Sequence, residues 1–429
     1  MLHKAIPSGS GTAFLNARRS RAGSVTRWGS CSCVLWVLFA AVAWPPVDAA
    51  AGTLHIYNVR SYGYSRTDDS SAFSAAIAAA SRDGTGYASG PGGSSQGVVY
   101  VPRGVYRILN VKLLQNVRIE INARAVLMQA GGSLAHPARL FVLDGPAAAP
   151  LRNVSIVGVG ASNMYAKKRK PPPAAGWHIL RDFTLNLDPA ATHSSALVRG
   201  IDIRNVDGFR ISRVFIIQSK TDRSGRPPDS QTAAIGLSAD AFSPIGGPYY
   251  DPHHGTISHV YAINEPGGYG PDQVDSAHNV NLDYIYSNGG TALRLETQAS
   301  KGQYGARIDG LRAHRVMCDH GNQGVAFSPH GQDNANVSVT GVTGKDCKQA
   351  VKVSGFLEAG LSHHGNFLTT SVTGVNAIGG RTSQLTTNGA WTIGTSDRAI
   401  AIDPAATYKV NISGVVCSGP FQHQSDVPC

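Results

Sequence analysis

The sequence predicts an all-β fold whose short strands coil into a parallel β-helix, and two observations carry that expectation. Glycine is abundant, with 49 in 429 residues, while charged residues make up 15% and aromatic residues 7%. That balance suits a turn-rich β protein rather than a helical one. From about residue 150, β-branched runs recur beside a glycine or asparagine: NVSIVG from Asn153, IDIRNV from Ile201, NVNLDYIYSNG from Asn279, RIDGLRAHRV from Arg307, NVSVTGVTG from Asn336 and VNISGVV from Val410. Val280 to Ile308 is 28 residues and Ile308 to Val337 is 29, a period that means stacked units sharing one core. No long amphipathic helix interrupts the repeat, and the two-residue hairpins of a β-sandwich are mostly missing. A hydrophobic content of 42% is enough to fill the core.

Residues 1–51 read as an export leader. Lys4, Arg18, Arg19, Arg21 and Arg27 precede an apolar run from Cys33 to Trp44, and Asp48-Ala49-Ala50-Ala51 offers small residues for cleavage. The run is shorter than the roughly 20 residues of a spanning helix, so no stable membrane insertion is expected after cleavage. Residues 52–429 are then expected to form one β-helix domain, a secreted or periplasmic monomer. Removing the leader leaves 33 basic and 26 acidic residues, a net charge of +7 with histidine neutral. An exported basic protein points to an anionic polysaccharide as its partner rather than to nucleic acid. Cys318, Cys347, Cys417 and Cys429 lack metal-ligand spacing, and the pairs Cys318–Cys347 and Cys417–Cys429 would close the shortest disulfide loops.

The domain opens with Tyr57-Asn58-Val59-Arg60-Ser61-Tyr62-Gly63, then Thr67-Asp68-Asp69-Ser70, an alanine-rich helix from Ala72 to Ser81, a glycine-rich loop, and Val98-Val99-Tyr100-Val101-Pro102-Arg103-Gly104-Val105-Tyr106. This stretch resembles the opening of the pectin-lyase-like superfamily. The resemblance implies a right-handed parallel β-helix whose first coils are capped by the helix. A first coil has no neighbour and exposes both apolar surface and strand edge, so a cap answers a physical need. Further on, KKRKPPP from Lys167 to Pro173 reads as an exposed loop between coils.

Near the middle stands Gly289-Gly290-Thr291-Ala292-Leu293-Arg294-Leu295-Glu296-Thr297-Gln298. Its alternation predicts a strand with Leu293 and Leu295 on one face and Arg294, Glu296 and Gln298 on the other. Coils align through a small-then-apolar signature at Ala234, Ala292, Ala326 and Ala350, with Gln273 in between in a register uncertain by one residue. The alignment puts Ser238, Gln273, Glu296, His330 and Ser354 in one outward column. Gly236, Asp272, Arg294, Ser328 and Lys352 form or flank the next, and Asp240, Asp275, Gln298 and Gln332 mark a third. Such a patch beside a groove suits an extended sugar chain.

Glycoside hydrolysis commonly needs two carboxyl groups, and this strand supplies Glu296 but ends in Gln298. G-G-T-A-L-R-L-E-T, preceded by Gln273 and followed by His330, resembles the active-site region of the iota-carrageenase family of inverting glycoside hydrolases. The resemblance implies a general-acid role for Glu296, a water-holding role for Gln273 and a place in the same site for His330. It covers about sixty residues. The family's base is an aspartate where Gln298 stands, and an amide takes no proton from water at neutral pH. Asp272, Asp275 and the more distant Asp240 are the candidate replacements; otherwise hydrolysis is weak or altered. Arg294, Gln298 and Lys352 are expected to bind substrate, with Arg315 and Lys348 as further cations for sulfate or carboxylate groups.

A β-eliminating lyase on a uronic polymer would use a lysine or arginine base and calcium held by several aspartates, and no dense aspartate cluster is visible. A non-catalytic adhesin using the same groove is the other reading. No cofactor and no metal centre are expected, although a structural calcium or sodium ion is compatible with the sequence. His253-His254 and His363-His364 lack a carboxylate or cysteine at ligand spacing.

Overall fold

A coil built from β-branched runs must turn corners without leaving backbone groups unpaired. The computed structural model describes residues 55–83, 88–89, 95–130, 138–146, 149–160, 183–187, 198–218, 233–238, 251–264, 270–297, 307–355, 364–385 and 391–429. The chain separates into Met1–Ala51 and Gly52–Cys429, and every described residue belongs to the second unit. The predicted leader and the loop Lys167 to Pro173 therefore lie outside the described residues.

Those residues form a right-handed parallel β-helix, as expected. A large parallel sheet carries the long strands Val206–Gln218, His253–Asn264, Asn281–Asn288, Arg312–Asp319, Ser338–Lys345, Ser371–Ile378 and Asn411–Ser418, each hydrogen bonded to the next. At one shared level a residue of each of these strands drops out of register, and the two longest strands lose a second at Gly208 and His254. Arg213, His259, Tyr284, Arg315, Gly341, Gly374 and Gly414 stack at this point, and all have positive φ. A left-handed residue bends the strand, and glycine adopts it without steric penalty. The motif V-T-G-V in Val339–Val342 and Val372–Val375 is thus a corner with an inward valine on each side. Just past it, Val214, Val260, Ile285, Val316, Val342 and Val375 form a buried ladder.

At four corners the left-handed residue carries a side chain, and the side chains answer one another. The His259 ring stacks on Tyr284 with centroids 4.9 Å apart, and the Arg315 guanidinium lies 3.3 Å above the Tyr284 ring. Arg315 also pairs with Asp283, so this cation belongs to a corner and not to the predicted site. At Gly341 an added Cβ would meet nothing closer than the Arg315 nitrogen at 3.7 Å. Gly341→Ala is therefore expected to cost only the backbone strain, about 1–2 kcal/mol, measured by chemical denaturation.

Coils consume unequal lengths of chain, from Asn281 to Arg312 to Ser338 to Ser371 to Asn411. The sequence period is therefore only approximate. Val280 stacks with Leu311, through the hydrogen bond from Arg312 N to Val280 O, whereas Ile308 pairs with Ala277.

The cap is the helix Ser70–Asp83, two residues longer at each end than the alanine pattern indicated. Ala72, Phe73, Ala76, Ile77 and Ala80 make its buried stripe. A Cβ on Gly97 would sit 2.1 Å from the Ala80 carbonyl oxygen, so the helix backbone rests directly on the first long strand, Ser95–Val101. Asp69 fixes the helix start: its carboxylate accepts from Ser65 N and Arg107 N. Both expected disulfides form, Cys318–Cys347 and Cys417–Cys429. Among the described residues no helix is long and apolar enough to cross a membrane.

Candidate active site

A second parallel sheet of nine strands carries the polar patch. In chain order it contains Val111–Lys112, Ala138–Leu143, Val198–Ile203, Ile235–Leu237, Asp272–Val274, Thr291–Glu296, Gln323–Ser328, Gln349–Val353 and Ile400–Ile402. Within Thr291–Glu296, Leu293 and Leu295 are fully buried in the core while Arg294 and Glu296 point the other way, as the alternation required.

The register differs from the one the alanines suggested. Ladder pairing runs Asp202, Gly236, Gln273, Arg294, Ala326, Lys352, so Gln273 stacks on Arg294. One step beyond the pair Val274–Leu295, Asp275 comes level with Glu296, and Glu296 pairs with Ser328. The small-residue position of the following coil is Gly324, not Ala326. A Cβ there would fall 2.6 Å from the Ala350 carbonyl oxygen. Choosing Ala326 displaced His330 by two residues.

Asp272 occupies the opposite face. Its ladder partners are Ile235 and Leu293, and it is wholly buried among them. It points into the apolar interior, away from the face that carries Glu296, which removes it from the catalytic candidates. Gln298 and Asp240 lie outside the described residues.

The remaining candidates converge on Glu296. The Arg294 Nη2 donates to Glu296 Oε2 at 2.5 Å, and His330 Nε2 lies 3.2 Å from Oε1. His330 reaches back although its residue is past the strand end, because Pro329 stops the strand and His330 takes a left-handed backbone with φ of 41°. Gln273 Nε2 donates to Asp275 Oδ1 at 2.8 Å and contacts Glu296 Oε2 at 3.4 Å. One amide thus bridges two carboxyl groups on adjacent rungs. Lys352 stands two rungs from Arg294 in the same column, and burial, aided by Lys348, lowers its pKa.

Their surroundings push the two carboxyls apart. Burial raises Asp275 to about 7, Arg199 opposes this, and the Glu296 charge adds to it. Burial would also raise Glu296, but the His330 contact and the Arg294 charge outweigh it and hold that carboxyl below its ordinary range. Pairs separated in this way supply one proton donor and one carboxylate.

Sequence reasoning missed a neighbouring group. Asp202 is fully buried and meets Arg139 Nε at 2.5 Å, Arg199 Nη1 at 2.8 Å and Arg204 Nε at 2.9 Å. The alternation Ile201-Asp202-Ile203-Arg204 already places Asp202 and Arg204 outward, and that signal was available.

Histidines elsewhere are engaged. His254 pairs with Asp207, His253 stacks on His278, His278 pairs with Asp251, and His364 Nδ1 lies 2.7 Å from the Gly355 carbonyl; His363 is outside the described residues. Asp319, His320 and Asp346 cluster with their ligating atoms within 4.8 Å. Tyr286 and His320 already hydrogen bond Asp319, and the Lys345 ammonium lies 3.4 Å from it, so this is an ion-paired network.

No family model matches the sequence. The chain is similar to an iota-carrageenase of Zobellia galactanivorans, 27% identical over 266 residues covering 61% of this chain and 47% of that one. It is also similar to an iota-carrageenase of Alteromonas macleodii, 26% identical over 299 residues covering 69% and 51%. The chain spans about half the length of these curated relatives. Among solved structures, a 1,3-alpha-1,4-beta-D-galactose-4-sulfate-3,6-anhydro-D-galactose-2-sulfate 4 galactohydrolase superposes with a TM-score of 0.68, at 22% identity, over 86% of this chain and 89% of that one. The likeness extends the shared β-helix over nearly the whole domain. The iota-carrageenase resemblance read from the sequence is therefore supported both by sequence similarity and by fold.

Proposed function

We propose that the protein is a secreted glycoside hydrolase that cleaves a sulfated galactan, with Glu296 and Asp275 as its two carboxyl groups. The single observation that carries this reading is the bridged pair: two carboxyls on one face of adjacent rungs, joined by Gln273 and separated in acidity. The similarity to iota-carrageenases supplies the substrate class.

Asp275 replaces the carboxylate that Gln298 lacks. Near neutral pH it holds a proton for the leaving oxygen, while Glu296 is the ionised partner that activates water or meets the sugar directly. This reverses the roles implied by the family resemblance. The reversal follows from Arg294 and His330, which favour the charged form of Glu296. His330 and Arg294 orient that carboxylate, Gln273 fixes the distance between the pair, and Lys352 offers a charge to the sulfated chain.

The test is incubation with iota-carrageenan. Hydrolysis releases reducing ends, elimination would give unsaturated ends absorbing in the ultraviolet, and a binding protein would give neither. Glu296→Gln is expected to retain binding and lose about 10²–10⁴-fold in turnover. Unchanged turnover in that variant would remove Glu296 from the chemistry.

A further inference from the structure

His330 stands in a backbone conformation that a histidine adopts only at a cost. Its φ of 41° is left-handed, uphill by about 1–2 kcal/mol for a residue with a Cβ. Such a residue persists where its surroundings leave it no alternative. No strand fixes it, because Gln323–Ser328 ends two residues earlier.

The turn Pro329-His330-Gly331-Gln332, closed by Gln332 N donating to Pro329 O at 2.9 Å, is clamped between two coils. On the side of the preceding coil, the Thr297 hydroxyl donates to the Pro329 carbonyl. Asn334 Nδ2 lies 3.2 Å from Thr297 Oγ1, 3.3 Å from Gln332 O and 3.2 Å from Asn366 O, and its Oδ1 accepts from Ile308 N at 2.8 Å. This one amide ties both ends of the turn to the coil before it and the coil after it. Thr297 and Asn334 are both fully buried. On the side of the following coil, Gly331 N donates to His364 O at 2.8 Å, and a Cβ on Gly365 would lie 2.5 Å from both Gln332 N and Gln332 O. That coil rests directly on the turn, with room for glycine alone.

We propose that Thr297 is a positioning residue, which with Asn334 and Gly365 holds the His330 turn so that the imidazole meets Glu296. The proposal rests on the hydrolase reading given above and names the parts that keep its imidazole in place. Thr297 follows Glu296 in the chain, so one dipeptide carries the carboxylate and grips the carbonyl that precedes the imidazole. The contact of His330 Nε2 with Glu296 Oε1 at 3.2 Å is thereby fixed from both ends. Without the clamp the turn relaxes toward ordinary backbone and the imidazole leaves Oε1. The charged groups facing Glu296 are Arg294 on its own strand, His330 on the next coil, Asp275 on the previous one and Lys352 two rungs on. Losing the His330 contact removes one of the influences that favour the Glu296 carboxylate, so its protonation moves to higher pH.

The experiment uses the full protein. Thr297→Val exchanges the hydroxyl for a methyl of similar size, and Thr297→Ser keeps the hydroxyl. Thr297→Val is expected to lower kcat on iota-carrageenan by about ten- to a hundredfold with little change in KM, and to raise the acid limb of the pH profile by about one unit. Thr297→Ser is expected to match the unsubstituted protein. Gly365→Ala presses on the same turn from the other coil and is expected to act like Thr297→Val, as is Asn334→Ala at a larger cost in stability. In a His330→Gln background, Thr297→Val is expected to have no further effect on turnover. A second readout needs no turnover: in histidine-labelled protein, the ring signal that is missing from His330→Gln is expected to move in Thr297→Val and Gly365→Ala and to stay in Thr297→Ser. Lost stability with an unmoved His330 signal and acid limb would leave Thr297 a merely structural residue and overturn the proposal. Equal losses from Thr297→Val with and without His330 would overturn it too. The outcomes separate from those of the hydrolase reading. No reducing ends from the unsubstituted protein would sink hydrolysis while the His330 signal still decides the positioning; turnover with an unmoved His330 signal would do the reverse.

Discussion

Asp275→Asn is expected to lower turnover of a sulfated galactan by about 10²–10⁴-fold and to abolish the alkaline limb of the pH profile. In the unsubstituted protein that limb falls near pH 7, where Asp275 loses its proton. The acid limb lies below the ordinary carboxylate range, because activity is lost there only when Glu296 becomes protonated. The two groups share Gln273, so the limbs report the pair and not two isolated residues. Asparagine keeps the size of the side chain and its contact with Gln273, which makes a drop in kcat with little change in KM the expected signature. A profile whose alkaline limb survives in Asp275→Asn would assign the donor elsewhere. Gln298→Asp supplies the complementary measurement: a large gain in turnover would mean that Asp275 does not replace the missing carboxylate.

The fold was legible because its signals are local. Valine and isoleucine runs want strands, V-T-G-V marks a corner by the one residue that accepts positive φ freely, and the alanine stripe of Ser70–Asp83 needs only helical spacing. Alternation also placed Arg294 and Glu296 outward without reference to any other strand. Register between coils is a different matter, since it depends on how many residues each loop consumes, and the loops differ. Alanine occurs at both Ala326 and Ala350, and nothing local says that Gly324, not Ala326, stands between Ala292 and Ala350 in the ladder. The choice of Ala326 moved His330 by a column, and the open register of the Asp272–Val274 strand moved Gln273 likewise, but the meeting of both with Glu296 was preserved by a long amide and by the turn at Pro329. Asp272-Gln273-Val274-Asp275 was ambiguous for another reason. Either phase of that alternation points one aspartate outward, and the usual exclusion of carboxylates from cores misleads when the chain buries one.

That buried carboxyl predicts the largest effect on stability. Asp272 has no exposed surface, and neither oxygen has a hydrogen-bond partner; burial holds its pKa well above the ordinary value. The folded protein therefore keeps this proton at pH values where the unfolded chain, titrating near 3.9, has released it. Stability falls by about 1.4 kcal/mol per pH unit as pH rises from there toward the folded pKa, since the unfolded state alone gains from ionisation. Asp272→Asn removes the titration while keeping the shape. The variant is expected to match the unsubstituted protein near pH 4 and to exceed it by about 2–3 kcal/mol at pH 6, measured by denaturant unfolding across that range. Asp275 titrates in the same direction up to about 7, so the comparison is made again in an Asp275→Asn background, where the Asp272 contribution must persist. Because the side chain faces Ile235 and Leu293, turnover is expected to survive the change. A stability difference that stays flat with pH would mean that Asp272 ionises in the folded state, and the carboxyl would then have to be reaching a charge partner or water through the wall of the coil.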